Sequence, residues 1–82
     1  PLTLLPGNVP IANHAERLLR AGVPFAACRF DLNHFKDYNE RYGYERGDQM
    51  IKLTGRVLDM VAQRDQDFLG HVGGDDFVML MQ

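Results

Sequence analysis

The chain has 82 residues with nine Lys or Arg against eleven Asp or Glu, a formal net charge of −2. That length is below the ~100–150 residues of an average domain, so one small domain or a piece of a larger one is expected. Hydrophobic residues at 45% and charged residues at 24% exclude a disordered tail, and the slight acidic excess argues against non-specific nucleic-acid or membrane binding.

The stretch from Pro1 to Pro10 holds three of the four prolines together with Gly7 and reads as an irregular lead-in. Ile11, Ala15, Leu18 and Leu19 then follow helical spacing, until Gly22 and Pro24 stop the run. Phe25 to Phe30 is a short apolar stretch bounded by Pro24 and Asp31, predicted to be a buried strand. Phe35, Tyr38 and Tyr42 recur at spacings of three and four, giving a short helix with Asn33 as its expected N-cap and Gly43 at its end. A longer helix is expected from about Arg46 to Gln63, burying Met50, Thr54, Val57, Leu58 and Val61. After a polar loop, Phe68–Val72 and Asp75–Met81 flank Gly73-Gly74, a strong hairpin signal.

Cys28 is the single cysteine, so an intrachain disulfide is impossible and a reducing compartment fits. No apolar run nears the ~20 residues of a membrane span, and the first residues lack a signal-peptide layout. The chain starts and ends inside apolar stretches, the pattern of a domain cut at both ends.

Three places carry chemistry. At Gly73-Gly74-Asp75-Asp76 the glycines let backbone approach a ligand, and adjacent carboxylates on a strand face opposite ways. By itself the string also suits a solvated hairpin turn. Asp31 sits where an apolar strand gives way to a helix, the edge at which α/β folds place ligands. A carboxylate there, with a neighbouring carbonyl, suits a hard cation such as Mg²⁺. Lys36 lies in the first turn of the following helix, where phosphate is favoured, although a cap and a surface lysine would look the same. A calcium loop is excluded, because Lys36 and Tyr42 stand where it needs glycine and glutamate. Asn39 and Asp48 form the third place: an amide and a carboxylate can read a purine edge, or simply cap helices. Neither a P-loop nor a GxGxxG fingerprint is present. His14, His34 and His71 lack zinc-like spacing and suit surface or packing roles.

In order and spacing these pieces resemble the GGDEF family of diguanylate cyclases. Pro1-Leu-Thr-Leu-Leu-Pro6 is similar to the LTGLPNR opening, Asp31 to Asn39 to DxDxFKxxN, Gly43 to Asp48 to GHxxGD, and Gly73 to Phe77 to the signature itself. The resemblance covers roughly the first half of that domain. It implies an α+β fold, a palm-like sheet with helices on its faces, and condensation of two GTP into cyclic di-GMP with release of pyrophosphate. It further implies Mg²⁺ (or Mn²⁺) held by Asp31, the Leu32 carbonyl and Asp75, with Asp76 as a second acidic group at the site. Lys36, Asn39, Asp48, Phe35, Gly73 and Gly74 would bind the nucleotide. Arg64 and Asp67 match the RxxD product-inhibition pattern, five residues before the paired glycines.

The partners implied are GTP, cyclic di-GMP, a second copy facing the active site, and a fused sensor or EAL-type phosphodiesterase domain, in a bacterial cytoplasm. Four positions depart from the pattern: Asp76 for Glu, Asn33 for Asp, His71 for Arg, and Leu4 for Gly. A catalytically silent module that binds GTP or cyclic di-GMP and regulates an attached domain is the alternative, which Asp76 and His71 favour.

Overall fold

The structure, a computed structural model, describes residues 3–63 and 65–82. Six elements follow in order: α1 (Asn8–Arg20), β1 (Ala26–Phe30), α2 (Phe35–Tyr42), α3 (Tyr44–Val61), β2 (Asp67–Gly73) and β3 (Asp76–Met81). The order matches the one read from apolar spacing, and the class is α+β.

The three strands form one antiparallel sheet in the order β1-β3-β2, so the last strand lies in the middle. Its register pairs Phe77 with Phe30 on one side and with His71 on the other. Phe77 is the fully buried side chain around which the rest packs. Leu69, Phe77 and Met79 share one face and meet Ile51 of α3, with Leu5, Leu32, Phe35, Leu58 and Ala62 packed around them. α1 covers the opposite face, where Ile11 sits over Gly70 and the His14 ring stacks on Phe68 at 4.3 Å. The helices thus lie on both faces of the sheet. Outside β2, the lead-in continues the pairing, because His71 N–H donates to the Pro6 carbonyl at 2.8 Å.

Several expectations need correction. α1 begins at Asn8 rather than Ile11, with Pro10 inside its first turn, where a proline costs no hydrogen bond. Leu18 is its buried residue, and Leu19 points to solvent. β1 is not buried: only Cys28 is half-covered, since among the described residues β1 pairs on one edge only. β1 and β2 are therefore the two edges of the sheet, and the outer side of β2 is met at His71 by the Pro6 carbonyl. Asn33 does not cap α2. That position belongs to His34, in the left-handed region at φ 57°, with no side-chain capping bond. α3 runs from Tyr44 to Val61 and buries Gly47, Ile51 and Gly55, a face rotated from the expected one. Val57 and Val61 are 50% and 69% exposed. The rotation follows from the two glycines, which let α3 lie close to its neighbours where larger residues could not.

Leu4 also adopts the left-handed conformation, at φ 58°, and is 88% exposed. It stands where the resemblance expects glycine. For a leucine this backbone costs about 1–2 kcal/mol, and the exposed side chain recovers almost nothing by packing. Leu4→Gly is therefore expected to stabilise the fold by roughly 0.5–1 kcal/mol despite the extra freedom it gives the unfolded chain. Urea unfolding of the two proteins side by side measures this, and a lower midpoint for the glycine variant would refute the strain assignment.

Candidate functional site

The register of the sheet builds the site. The β1–β3 ladder ends at Phe30 opposite Phe77, so in antiparallel order the next residues of one strand run past the preceding residues of the other. Leu32 is brought to Asp75 in this way, and its N–H donates to Asp75 Oδ2 at 3.3 Å. Two motifs 43 residues apart in sequence are joined by that bond. Asp75 is half-buried, whereas Asp31 is exposed.

Asp76 turns to a different partner. Arg29 Nη2 donates to Asp76 Oδ2 at 2.8 Å, a diagonal pair across neighbouring strands. The guanidinium is held above its ordinary pKa, first by the Asp76 hydrogen bond and then by attraction to Asp76, with smaller contributions from Asp31 and Asp75. All three carboxylates therefore lie within electrostatic reach of Arg29. Sequence reasoning missed this residue. The available signal was a single charge inside the apolar run Ala26-Ala-Cys-Arg-Phe30, two positions before Asp31.

The second part of the site is the α2–α3 pair. Gly43, at φ 92°, joins the two helices, a conformation that glycine adopts without penalty. Lys36 is exposed in the first turn of α2, and Asn39 follows it by one turn on the same face. Asn39 packs directly beneath Gly47, so closely that a Cβ there would fall on its Oδ1. That oxygen is buried and has no hydrogen-bond partner among the described residues. An orphaned acceptor of this kind is costly, about 1–3 kcal/mol, unless a ligand donor meets it. α3 starts at Tyr44 rather than near Arg46, and Asp48 is exposed beyond its first turn.

The other expected residues divide. Gly73 and Gly74 form the hairpin turn at φ 153° and 52°, with an irregularity in the ladder between His71 and Gly73. Phe35 packs against the core rather than into an open site, because its place in the first turn of α2 aims it at the sheet. Asp67 begins β2, and its Oδ2 accepts the Gln63 N–H at 2.9 Å. Arg64 lies outside the described residues, so the expected pair with Asp67 does too.

Among the described residues no three His, Cys, Asp or Glu side chains converge into a metal cage. The donors available are two carboxylates, Asp31 and Asp75, and the Leu32 carbonyl. Such an all-oxygen, incomplete set fits a hard divalent cation that keeps water and substrate phosphates in its shell. It does not fit zinc, which takes four protein ligands rich in nitrogen and sulfur in structural sites.

An antiparallel sheet that aims a Gly-Gly-Asp-Asp turn at a strand-to-helix loop is the layout of a cyclase-type α+β domain. Residues 2–82 match the family described as "Diguanylate cyclase, GGDEF domain", and the chain belongs to the GGDEF family. It is 32% identical over 85 residues to the diguanylate cyclase DgcP of Pseudomonas aeruginosa, covering 99% of this chain and 12% of that protein. The cyclic di-GMP phosphodiesterase NbdA of the same organism is 33% identical over 73 residues, covering 89% of this chain and 9% of that protein. The solved GGDEF domain of DgcB from Caulobacter crescentus, in complex with c-di-GMP, superimposes with a TM-score of 0.87 at 26% identity. That match covers 99% of this chain and 49% of the DgcB chain. The chain thus spans about a tenth of these two curated relatives and half of the solved domain.

Gly47 is the most sensitive position of the helix pair. Gly47→Ala should gain about 1 kcal/mol of helix propensity and lose about 1–3 kcal/mol to overpacking against Asn39. The expected result is a modest net destabilisation together with a displaced Asn39 side-chain amide resonance. An unmoved amide signal would show that Asn39 does not lie under this glycine.

Proposed function

We propose that this chain is the first half of a diguanylate cyclase domain, which joins two GTP molecules into cyclic di-GMP and releases two pyrophosphates. The observation that carries this reading is the Leu32–Asp75 hydrogen bond, which brings the signature turn to the Asp31 loop. The roles assigned here follow from position and chemistry. Asp31, Asp75 and the Leu32 carbonyl would hold Mg²⁺ (or Mn²⁺). When bound, that cation would lower the pKa of the attacking 3′-hydroxyl and neutralise charge on the leaving pyrophosphate. Lys36, beside the positive end of α2, binds phosphate. Asn39 and Asp48, an amide and a carboxylate, read the guanine edge. Gly73 and Gly74 keep the turn free of side chains where phosphate approaches.

Each such domain carries one GTP, so two copies must face each other across their active sites. A sensor or EAL-type domain elsewhere in the same protein, and a cytoplasmic location with access to GTP, belong to this reading. Among the described residues no helix is long and apolar enough to cross a membrane. Arg64 and Asp67 are retained as the product-inhibition pair.

A second reading has its own support. Asp76 is one methylene shorter than glutamate and is engaged by Arg29. With that carboxylate turned to an arginine, the domain would bind GTP or cyclic di-GMP without turnover and regulate an attached domain.

One experiment separates the two. The full-length protein is incubated with GTP and Mg²⁺ at dimer-forming concentrations, and cyclic di-GMP is quantified by chromatography beside Asp31→Ala. Product from the parent with at least a hundredfold loss in the variant is expected, since a metal-binding carboxylate is removed. Nucleotide binding without product would overturn the cyclase and leave the silent module.

A further inference from the structure

We infer that His71 is a positioning residue for the signature turn, tying the Gly74 carbonyl to Thr3 so that Asp75 meets the Leu32 loop. The inference deepens the cyclase reading by naming what holds one of its carboxylates in place.

The turn has little rigidity of its own. Two consecutive glycines carry it, and glycine loses more conformational freedom on ordering than any other residue. The ladder is also irregular between His71 and Gly73, so strand pairing does not extend evenly into the turn. Something outside the turn must therefore fix where Asp75 begins.

His71 is placed for this. It is the buried polar residue of the sheet, 9% exposed, with its ring stacked on Phe77 at 4.6 Å. Its main-chain N–H is anchored to the Pro6 carbonyl, so the base of the side chain is fixed from the sheet's outer side. Nε2 lies 2.9 Å from the Gly74 carbonyl, which can only accept, so Nε2 bears the donated proton. Nδ1 lies 3.0 Å from Thr3 Oγ1. Thr3 Oγ1 accepts the Leu5 N–H at 3.4 Å, leaving its own hydrogen to be donated to Nδ1. Donors and acceptors match along the whole chain from Leu5 N–H through Thr3 and His71 to Gly74. The next residue is Asp75, whose Oδ2 accepts from Leu32 N–H. The imidazole thus connects the lead-in to the turn, and the turn to the Asp31 loop.

The test uses full-length protein labelled with ¹⁵N-leucine, which reports Leu32 together with Leu69 and Leu80 of the sheet as internal references. His71→Phe keeps the stack on Phe77 and removes both ring hydrogen bonds. It should speed amide exchange at Leu32 by roughly tenfold, the loss of about one hydrogen bond's free energy, relative to Leu69 and Leu80. His71→Gln, whose side-chain amide can still donate to Gly74, should restore the Leu32 rate to within about threefold of the parent. If His71→Phe does not fold, Thr3→Val removes the far end of the chain alone and should give a smaller acceleration at Leu32, with Leu5, which loses its own acceptor, also faster and Leu69 and Leu80 unmoved.

Unchanged Leu32 exchange in the variant that folds would overturn the inference. So would equal acceleration at Leu69 and Leu80, which marks general destabilisation, or a glutamine variant no better than phenylalanine. Selective acceleration rescued by glutamine would establish the positioning role even if the parent makes no cyclic di-GMP. In that case the cyclase reading alone would fall.

Discussion

The structure depends on the central position of β3. A strand paired on both edges has its register set twice, and the pairing of Phe77 with both Phe30 and His71 locks it. Side chains alternate along a strand, so a one-residue slip of β3 would turn Phe77 and Met79 out of the core. The same register brings Leu32 alongside Asp75. Core packing and site assembly are therefore one constraint: the burial that holds Phe77 also aligns the two motifs.

That alignment gives two adjacent carboxylates different surroundings. Asp75 accepts a main-chain N–H from the loop that follows β1, while Asp76 is paired with the exposed guanidinium of Arg29. A pair this exposed contributes little to stability. Its consequence is directional, since it orients Asp76 and concentrates positive charge beside Asp31 and Asp75. An anionic substrate with several phosphates would meet a site whose negative charge is already partly balanced.

The helix pair supplies the other half of the site. α2 has no fully buried residue, and it is held by Phe35 against the core and by close approach to α3 at Gly47. Close approach explains why glycine precedes Asp48, which the motif by itself does not. It also explains the buried Asn39 Oδ1, since the contact that seats the helix excludes other partners from that atom.

Much of this was legible in the sequence. Turn chemistry at Gly73-Gly74, helix-breaking residues and apolar periodicity gave the six elements in order, because these signals are local. The candidate residues Asp31, Lys36, Asn39, Asp48 and Asp75 were legible through motif spacing. The rotated face of α3 was not, since which side of an amphipathic helix is buried depends on how closely a neighbour approaches. Val57 and Val61 satisfy helical spacing as well as Ile51 does, and only Gly47 and Gly55, packed against Asn39 and Thr3, select the face that is buried. Likewise the exposure of β1, the Arg29–Asp76 pair and the Thr3–His71–Gly74 connection arise between segments far apart in the chain. By itself the sequence determined the elements, their order and the chemical types at the site, because those follow from neighbouring residues. Which of those groups meet was decided by the antiparallel register of β3, a property that no single segment carries.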